Sequence, residues 1–156
     1  MSVPTLLVTG ASGHLGRAVV RHLLDTLNID PARVIATSRK PEALADLAAQ
    51  GVTVRAADFD RPDTLAEAFR GADRLLLVST DALLEPGKRL VQHRAAVQAA
   101  VEARVKHVVY TSLPSPDTSH VSFAPDHLGT EQALAASGLG WTFLRNAWYA
   151  ENLAYA

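Results

Sequence analysis

The 156-residue chain contains no cysteine. That absence excludes disulfides, thiolate nucleophiles and zinc–thiolate centres together, and no metal site is expected. It also fits a reducing compartment. Neither sign of charge dominates: 15 Lys and Arg stand against 16 Asp and Glu, giving a formal net charge of −1 and a pI of about 6.6. A field that weak gathers neither nucleic acid nor an anionic membrane, so the expected partner is a small molecule. No apolar run approaches the ~18 residues of a membrane span. The first residues also lack the basic region and longer apolar segment of a secretory signal, so a cytoplasmic location is expected. Repeats, linkers and low-complexity tracts are missing as well. With 48% hydrophobic and 20% charged content, the chain is expected to bury one sizeable core as a single domain over residues 1–156.

What the chain does contain is a short apolar run, residues 6–8, that breaks into Thr9-Gly10-Ala11-Ser12-Gly13-His14-Leu15-Gly16, three glycines spaced by three. An apolar run without alternation suits a strand buried on both faces, and from Arg17 the pattern turns helical. The glycines sit at the junction. Gly10 can make the tight turn, Gly13 can let backbone N–H groups approach a pyrophosphate, and Gly16 can let the helix pack close on its strand. An anion at that point lies on a helix N-terminus, where unpaired N–H groups and the dipole favour it. The alternative is a bare structural turn. A strand before the motif and a helix after it point instead to dinucleotide binding.

The same alternation continues along the chain. Further strands are expected over residues 34–37, 52–56, 75–80, 107–112 and 141–144. Helices are expected between them, from Pro41 to a cap at Gly51, over 63–69 closed by Gly71, over 90–103 and over 126–137, with an irregular loop at 114–125. Short buried strands alternating with helices imply βαβ units with right-handed crossovers. The expected fold is therefore α/β, a Rossmann-type doubly wound parallel sheet of about six strands.

In such a sheet ligands bind beyond the carboxyl ends of the strands. After the second strand, Ser38-Arg39-Lys40 offers cations where NAD-binding domains place an acid. A 2′-phosphate fits better, so NADP(H) is preferred over NAD(H). The alternative is that Arg39 and Lys40 are solvated charges near a helix start. After the third strand, Asp58 can accept from an adenine amine and Phe59 can pack on its ring, or Asp58 caps the next helix. Ser79 and Thr80 end the fourth strand facing the middle of a cofactor, unless their hydroxyls only satisfy backbone groups.

The tyrosine-to-lysine pair that transfers a proton in many short-chain dehydrogenases is missing, and Phe123 and His127 occupy that spacing. His127 can hydrogen-bond a ribose or a substrate oxygen, and an ordinary histidine pKa would allow proton transfer. It can equally be a solvent-facing residue whose neighbour, Asp126, keeps a proton on the ring. Beyond the sixth strand, residues 145–152 crowd aromatic, amide and acid groups together. Asn146 and Tyr149 can hold a nicotinamide carboxamide with Trp148 or Tyr149 as a wall, or the segment starts a helix with Trp148 and Tyr149 in the core.

Four stretches carry a family resemblance: 9–16, 49–58, 110–113, and Leu144-Arg145-Asn146-Ala147-Trp148-Tyr149-Ala150-Glu151-Asn152. The chain resembles the NmrA-like branch of atypical short-chain dehydrogenases, and more narrowly the type 2 NAD(P)H:quinone oxidoreductases. The last stretch is the specific one, because the glycine motif belongs to the whole superfamily. The resemblance implies an NADPH-binding fold that passes hydride to a quinone. It sets Gly10, Ala11, Ser12, Gly13, His14, Leu15 and Gly16 around the cofactor, together with Arg39, Ser79, Thr80 and Asp81. At the other end it sets Asn146, Ala147, Trp148, Tyr149, Ala150 and Glu151 there, with His127 and Tyr149 as the catalytic candidates. His127 stands where many members carry lysine. Members of the family run to nearly twice this length, so the chain is expected to correspond to the cofactor half of a reductase.

Quinone reduction is driven by aromatisation, and the hydroquinone oxygens can take protons from water, which suits a site without the Tyr-Lys pair. The rival from another class is a non-catalytic redox sensor of the NmrA type, which binds NADP(H) and reports to a protein partner. A reductase of another small carbonyl or imine shares all the cofactor residues. A homodimer is left open.

Overall fold

The computed structural model describes residues 3–155. Six strands form one all-parallel sheet in the order β3-β2-β1-β4-β5-β6. They are β1 (Leu6–Val8), β2 (Val34–Ser38), β3 (Thr53–Ala56), β4 (Arg74–Leu77), β5 (His107–Ser112) and β6 (Gly140–Arg145). The helices are α1 (His14–Arg21), α2 (Ala45–Ala48), α3 (Leu65–Phe69), α4 (Lys88–Glu102) and α5 (Ala124–Ala136). This is the doubly wound arrangement expected from the alternation. Strand order reverses between β1 and β4, which puts the switch point directly beside the glycine turn.

The central strands read as continuous apolar runs because both faces of the sheet are covered. Leu7, Ile35, Leu75, Leu77 and Val108 pack with Leu65, Phe69, Ala96, Ala100 and Leu134 of α3, α4 and α5. Val8, Val34 and Ala36, one residue out of phase with Leu7 and Ile35, pack with Val20, Leu44 and Leu47 on the other face. Successive side chains thus enter opposite cores, as strand pleating requires.

Several boundaries shift for identifiable reasons. Helix α1 opens at His14, inside the motif, and runs on through a π-helical turn, His22–Thr26. The segment after Pro41 begins as a 3-10 helix, Pro41–Leu44, before α2, and Pro62–Thr64 does the same before α3. The expected extension of β4 to residue 80 is corrected, since the strand ends at Leu77. Beyond it the backbone donates to side chains instead of a ladder: Val78 N–H to Thr9 Oγ1 (2.9 Å), Ser79 N–H to Thr111 Oγ1 (2.9 Å) and Thr80 N–H to His93 Nε2 (3.0 Å). Those bonds hold residues 78–80 at the carboxyl end of β4, where they line a cavity. After β6, the expected helix is a 3-10 helix, Ala150–Tyr155.

Candidate functional site

The glycine turn builds the floor of the site. Gly10 has φ +60°, a left-handed conformation that disfavours any side chain. A Cβ on Gly16 would collide with the Gly10 carbonyl oxygen and lie 2.7 Å from the carbonyl carbon, so only glycine lets α1 sit on the turn. Gly13 caps α1, with its N–H donating to Gly10 O (2.9 Å) and its carbonyl accepting from Arg17 N–H (3.0 Å). Ala11 and Gly16 are buried beneath the surface, and Ala11 N–H ties the turn to Thr37 O of β2 (2.9 Å).

Above this floor opens a cavity of about 250 Å³ lined by the residues that follow four strands. Gly10, Ser12 and Gly13 come from the β1 turn, Thr37, Ser38 and Arg39 from β2, Asp58 and Phe59 from β3, and Ser79, Thr80 and Asp81 from β4. Nine of the residues singled out in the sequence therefore share one wall. His14 and Leu15 lie in the first turn of α1 and do not line it. Ser12 and Ser38 hydroxyls bond each other (2.8 Å), and Arg39 is exposed at the rim with Nη2 3.8 Å from Asp81 Oδ2. The Asp58 carboxylate accepts from Asp60 N–H (3.0 Å), a local turn rather than a helix cap. Thr80 Oγ1 donates to Gln92 Oε1 (2.7 Å), and Gln92 Nε2 donates to Asp60 Oδ1 (2.8 Å). Thr37 is 1% exposed, yet its Oγ1 has no hydrogen-bond partner among the described residues. A buried hydroxyl on a cavity wall with no protein partner suits an occupant that carries polar groups. The glycine cradle, the orphan hydroxyl and the rim cation together fit a nucleotide diphosphate.

The residues after β6 sit apart from this cavity. Asn146 N–H donates to Ser112 O (3.2 Å), holding the segment on the carboxyl end of β5, and Asn146 Nδ2 donates to Tyr149 Oη (3.1 Å). The preceding Arg145 is clamped by Glu131 of α5 through Nε (3.1 Å) and Nη2 (2.7 Å), while Ser112 Oγ donates to the same carboxylate (2.6 Å). Burial opposes ionisation of Glu131, but Arg145 and Ser112 hold its carboxyl below the usual range. Trp148 and Tyr149 are 66% and 39% exposed, which corrects the alternative that placed them in the core. Ala147, Ala150 and Glu151 are likewise exposed, and none of residues 146–151 lines the cavity.

His127 is the clearest departure from expectation. It is 4% exposed, not solvent-facing. Its Nδ1 lies 2.6 Å from Tyr110 Oη and its Nε2 lies 3.0 Å from Arg89 Nη1. Burial and then the Arg89 cation pull its pKa down to about 4, with Glu131 the opposing influence. Asp126 therefore does not keep a proton on the ring, and His127 is neutral at physiological pH. Nearby His93 is fully buried and drops to about 3, again through burial first and then Arg89 and His127.

Sequence reasoning missed Arg89, Gln92 and His93. A signal was present: the three stand at i, i+3 and i+4 of α4, on the stripe that continues through the buried Ala96 and Ala100. Polar residues where a helix should present its apolar face indicate a buried network.

A cleft at the point where strand order reverses, floored by a glycine turn that opens a helix, is where doubly wound sheets receive a pyrophosphate, and this is a dinucleotide-binding domain of the Rossmann class. Comparison with known proteins narrows that class. The family model described as NAD(P)H-binding matches residues 10–154, and the chain belongs to this family, in its NmrA-like, atypical short-chain dehydrogenase branch. It is 43% identical to quinone oxidoreductase 2 of Escherichia coli (strain K12) over 94% of this chain and 50% of that protein. It is 38% identical to an NmrA-like family domain-containing oxidoreductase of Aspergillus flavus over 93% of this chain and 48% of that one. Among solved structures, the triphenylmethane reductase of Citrobacter sp. complexed with NADP(H) superposes with a TM-score of 0.90 at 38% identity, covering 96% of this chain and 51% of that one. The chain spans about half the length of the curated relatives it matches.

Proposed function

We propose that the cavity binds NADP(H) and that the protein passes hydride from it to a quinone. The observation that carries this reading is the lining itself: the glycine turn, the orphan Thr37 hydroxyl and the Arg39 rim converge where a phosphate-bearing dinucleotide lies in this fold. A volume of about 250 Å³ suits the adenosine and phosphates, with Asp58 and Phe59 at the adenine and Arg39 at a 2′-phosphate. Ser79, Thr80 and Asp81 face the middle of the cofactor. Support for the activity comes from relatives that are oxidoreductases or reductases by name, one of them a quinone oxidoreductase.

When bound, the nicotinamide supplies the hydride. The balance is NADPH, a proton and quinone giving NADP+ and hydroquinone: two electrons and one hydrogen would leave the cofactor as hydride, and the second hydrogen would come from water as the proton. Asn146 and Tyr149, at the carboxyl end of β6, orient the nicotinamide amide and the acceptor, and Trp148 adds an apolar wall. His127, neutral, buried away from the cavity lining and with both ring nitrogens engaged, holds Tyr110 and Arg89 and gives up no proton.

The test follows NADPH oxidation with and without a simple quinone, by the protein and by Asn146→Ala. Quinone-dependent oxidation is expected, and the variant should lose turnover more than it loses NADP+ affinity. Tight dinucleotide binding with no quinone-dependent oxidation would overturn the reductase reading and favour a sensor.

A further inference from the structure

Arg89 is 6% exposed, and none of the ion pairs among the described residues includes it. Its guanidinium lies over the Phe123 ring, 5.0 Å from the centroid, and its Nε has no hydrogen-bond partner among the described residues. A buried cation without a carboxylate is expensive to keep unless it holds something in place. Among the described residues its one side-chain bond is to His127 Nε2.

That bond determines the tautomer of His127 and with it the direction of the bond to Tyr110. A guanidinium only donates, so His127 Nε2 must accept and the ring proton must sit on Nδ1. Tyr110 Oη then accepts from His127 Nδ1–H, and it also lies 3.3 Å from His93 Nδ1. Thr130 Oγ1 donates to Asp126 O (2.7 Å). From the other end, Thr80 N–H donates to His93 Nε2, so the His93 proton is also on Nδ1 and points at Thr130 Oγ1 (2.9 Å). Thr80 is part of the cavity wall. The chain therefore runs unbroken from the buried guanidinium to the backbone that lines the dinucleotide cavity.

We propose that Arg89 is a positioning residue: by donating to His127 Nε2 it locks His127 as the Nδ1–H tautomer, and through Tyr110 and His93 it helps hold the Thr80 amide at the cavity wall. The proposal rests on reading that cavity as the NADP(H) site. The charged and titratable groups facing the pair are His93 from α4, Tyr110 from β5, Asp126 and Glu131 from α5, and Asp81 from the loop after β4. Of these, only Arg89 sets a donor against His127 Nε2.

Nitrogen NMR of the histidine side chains tests the lock without any turnover. In the wild-type protein both His127 and His93 are expected to carry their proton on Nδ1, and a proton found on Nε2 of His127 overturns the proposal. In Arg89→Met, His127 should lose its single tautomer, and its pKa should rise from about 4 while staying below the ordinary histidine value, because burial, the larger cause, remains. NADP+ affinity should fall about three- to tenfold, the worth of one hydrogen bond. Arg89→Lys keeps a donor cation and should restore both readings; a lysine variant that behaves like the methionine variant overturns the donor role. An altered tautomer with unchanged NADP+ affinity breaks the link to the cavity and overturns that part. Absence of quinone turnover alone leaves the tautomer and affinity results standing, so the failure of the reductase reading is distinguishable.

Discussion

Arg39 and His127 show how differently single residues read. The place of Arg39 at the cavity was legible because it depends on where its strand ends, and a cation after β2 is visible in the sequence itself. The structure sets it on the cavity rim, 3.8 Å from Asp81, an exposed pair that a dinucleotide phosphate can displace. Losing a charge-assisted contact costs about 1.5–3 kcal/mol, so Arg39→Ala should weaken NADPH binding by roughly ten- to a hundredfold and leave NADH nearly unchanged. Equal losses in titrations of the two cofactors would return Arg39 to the solvated surface. His127 was not legible in this way. Tyr110 and Arg89, 17 and 38 residues distant in sequence, help enclose it, and that burial and then the Arg89 cation depress its pKa. From position alone, a first-turn histidine beside Asp126 looks solvent-facing.

At the scale of elements, β1, the glycine turn and α1 form the best-determined unit, because local chemistry alone specifies it. The Gly16 position shows the constraint most directly. Alanine there favours helix by about 1 kcal/mol but is driven into the Gly10 backbone, where overpacking costs typically about 1–3 kcal/mol. Gly16→Ala is therefore expected to lower the melting temperature and, by lifting α1 off the turn, to weaken NADP+ binding. A variant with a raised melting temperature and unchanged affinity would show that the contact relaxes freely. The end of β4 is the contrasting case. The β-branched Val78 and Thr80 lie past Leu77, so propensity extends the strand, but Thr9, Thr111 and His93 capture the next three amides. No local pattern announces side-chain acceptors brought from three other elements.

Across the whole molecule, the buried histidines make stability depend on pH. His93 and His127 are held neutral when folded, with pKa values of about 3 and 4 against an ordinary 6.5. The unfolded chain takes up protons as pH falls through 6.5 while the folded chain does not. Their contribution is thus complete above about pH 6.5 and declines toward pH 4, by up to about 1.4 kcal/mol per pH unit for each histidine. The carboxylates with lowered values, Asp46, Asp73 and Glu131, add losses only below their ordinary values of 3.8 to 4.5. Urea midpoints should therefore fall steadily from pH 7 to 5, and a flat profile would mean that the folded protein protonates both rings. The sequence by itself determined the alternation of six strands with helices, the parallel sheet and the dinucleotide turn, because period, glycine placement and strand-end chemistry are local. Only the tertiary structure decided which strand-end residues share one cavity, that His127 is buried and neutral, and that Arg89 is enclosed without a carboxylate. Those facts depend on side chains from distant elements meeting in a low-dielectric interior, where burial and a single neighbouring charge outweigh any preference written in the neighbouring residues.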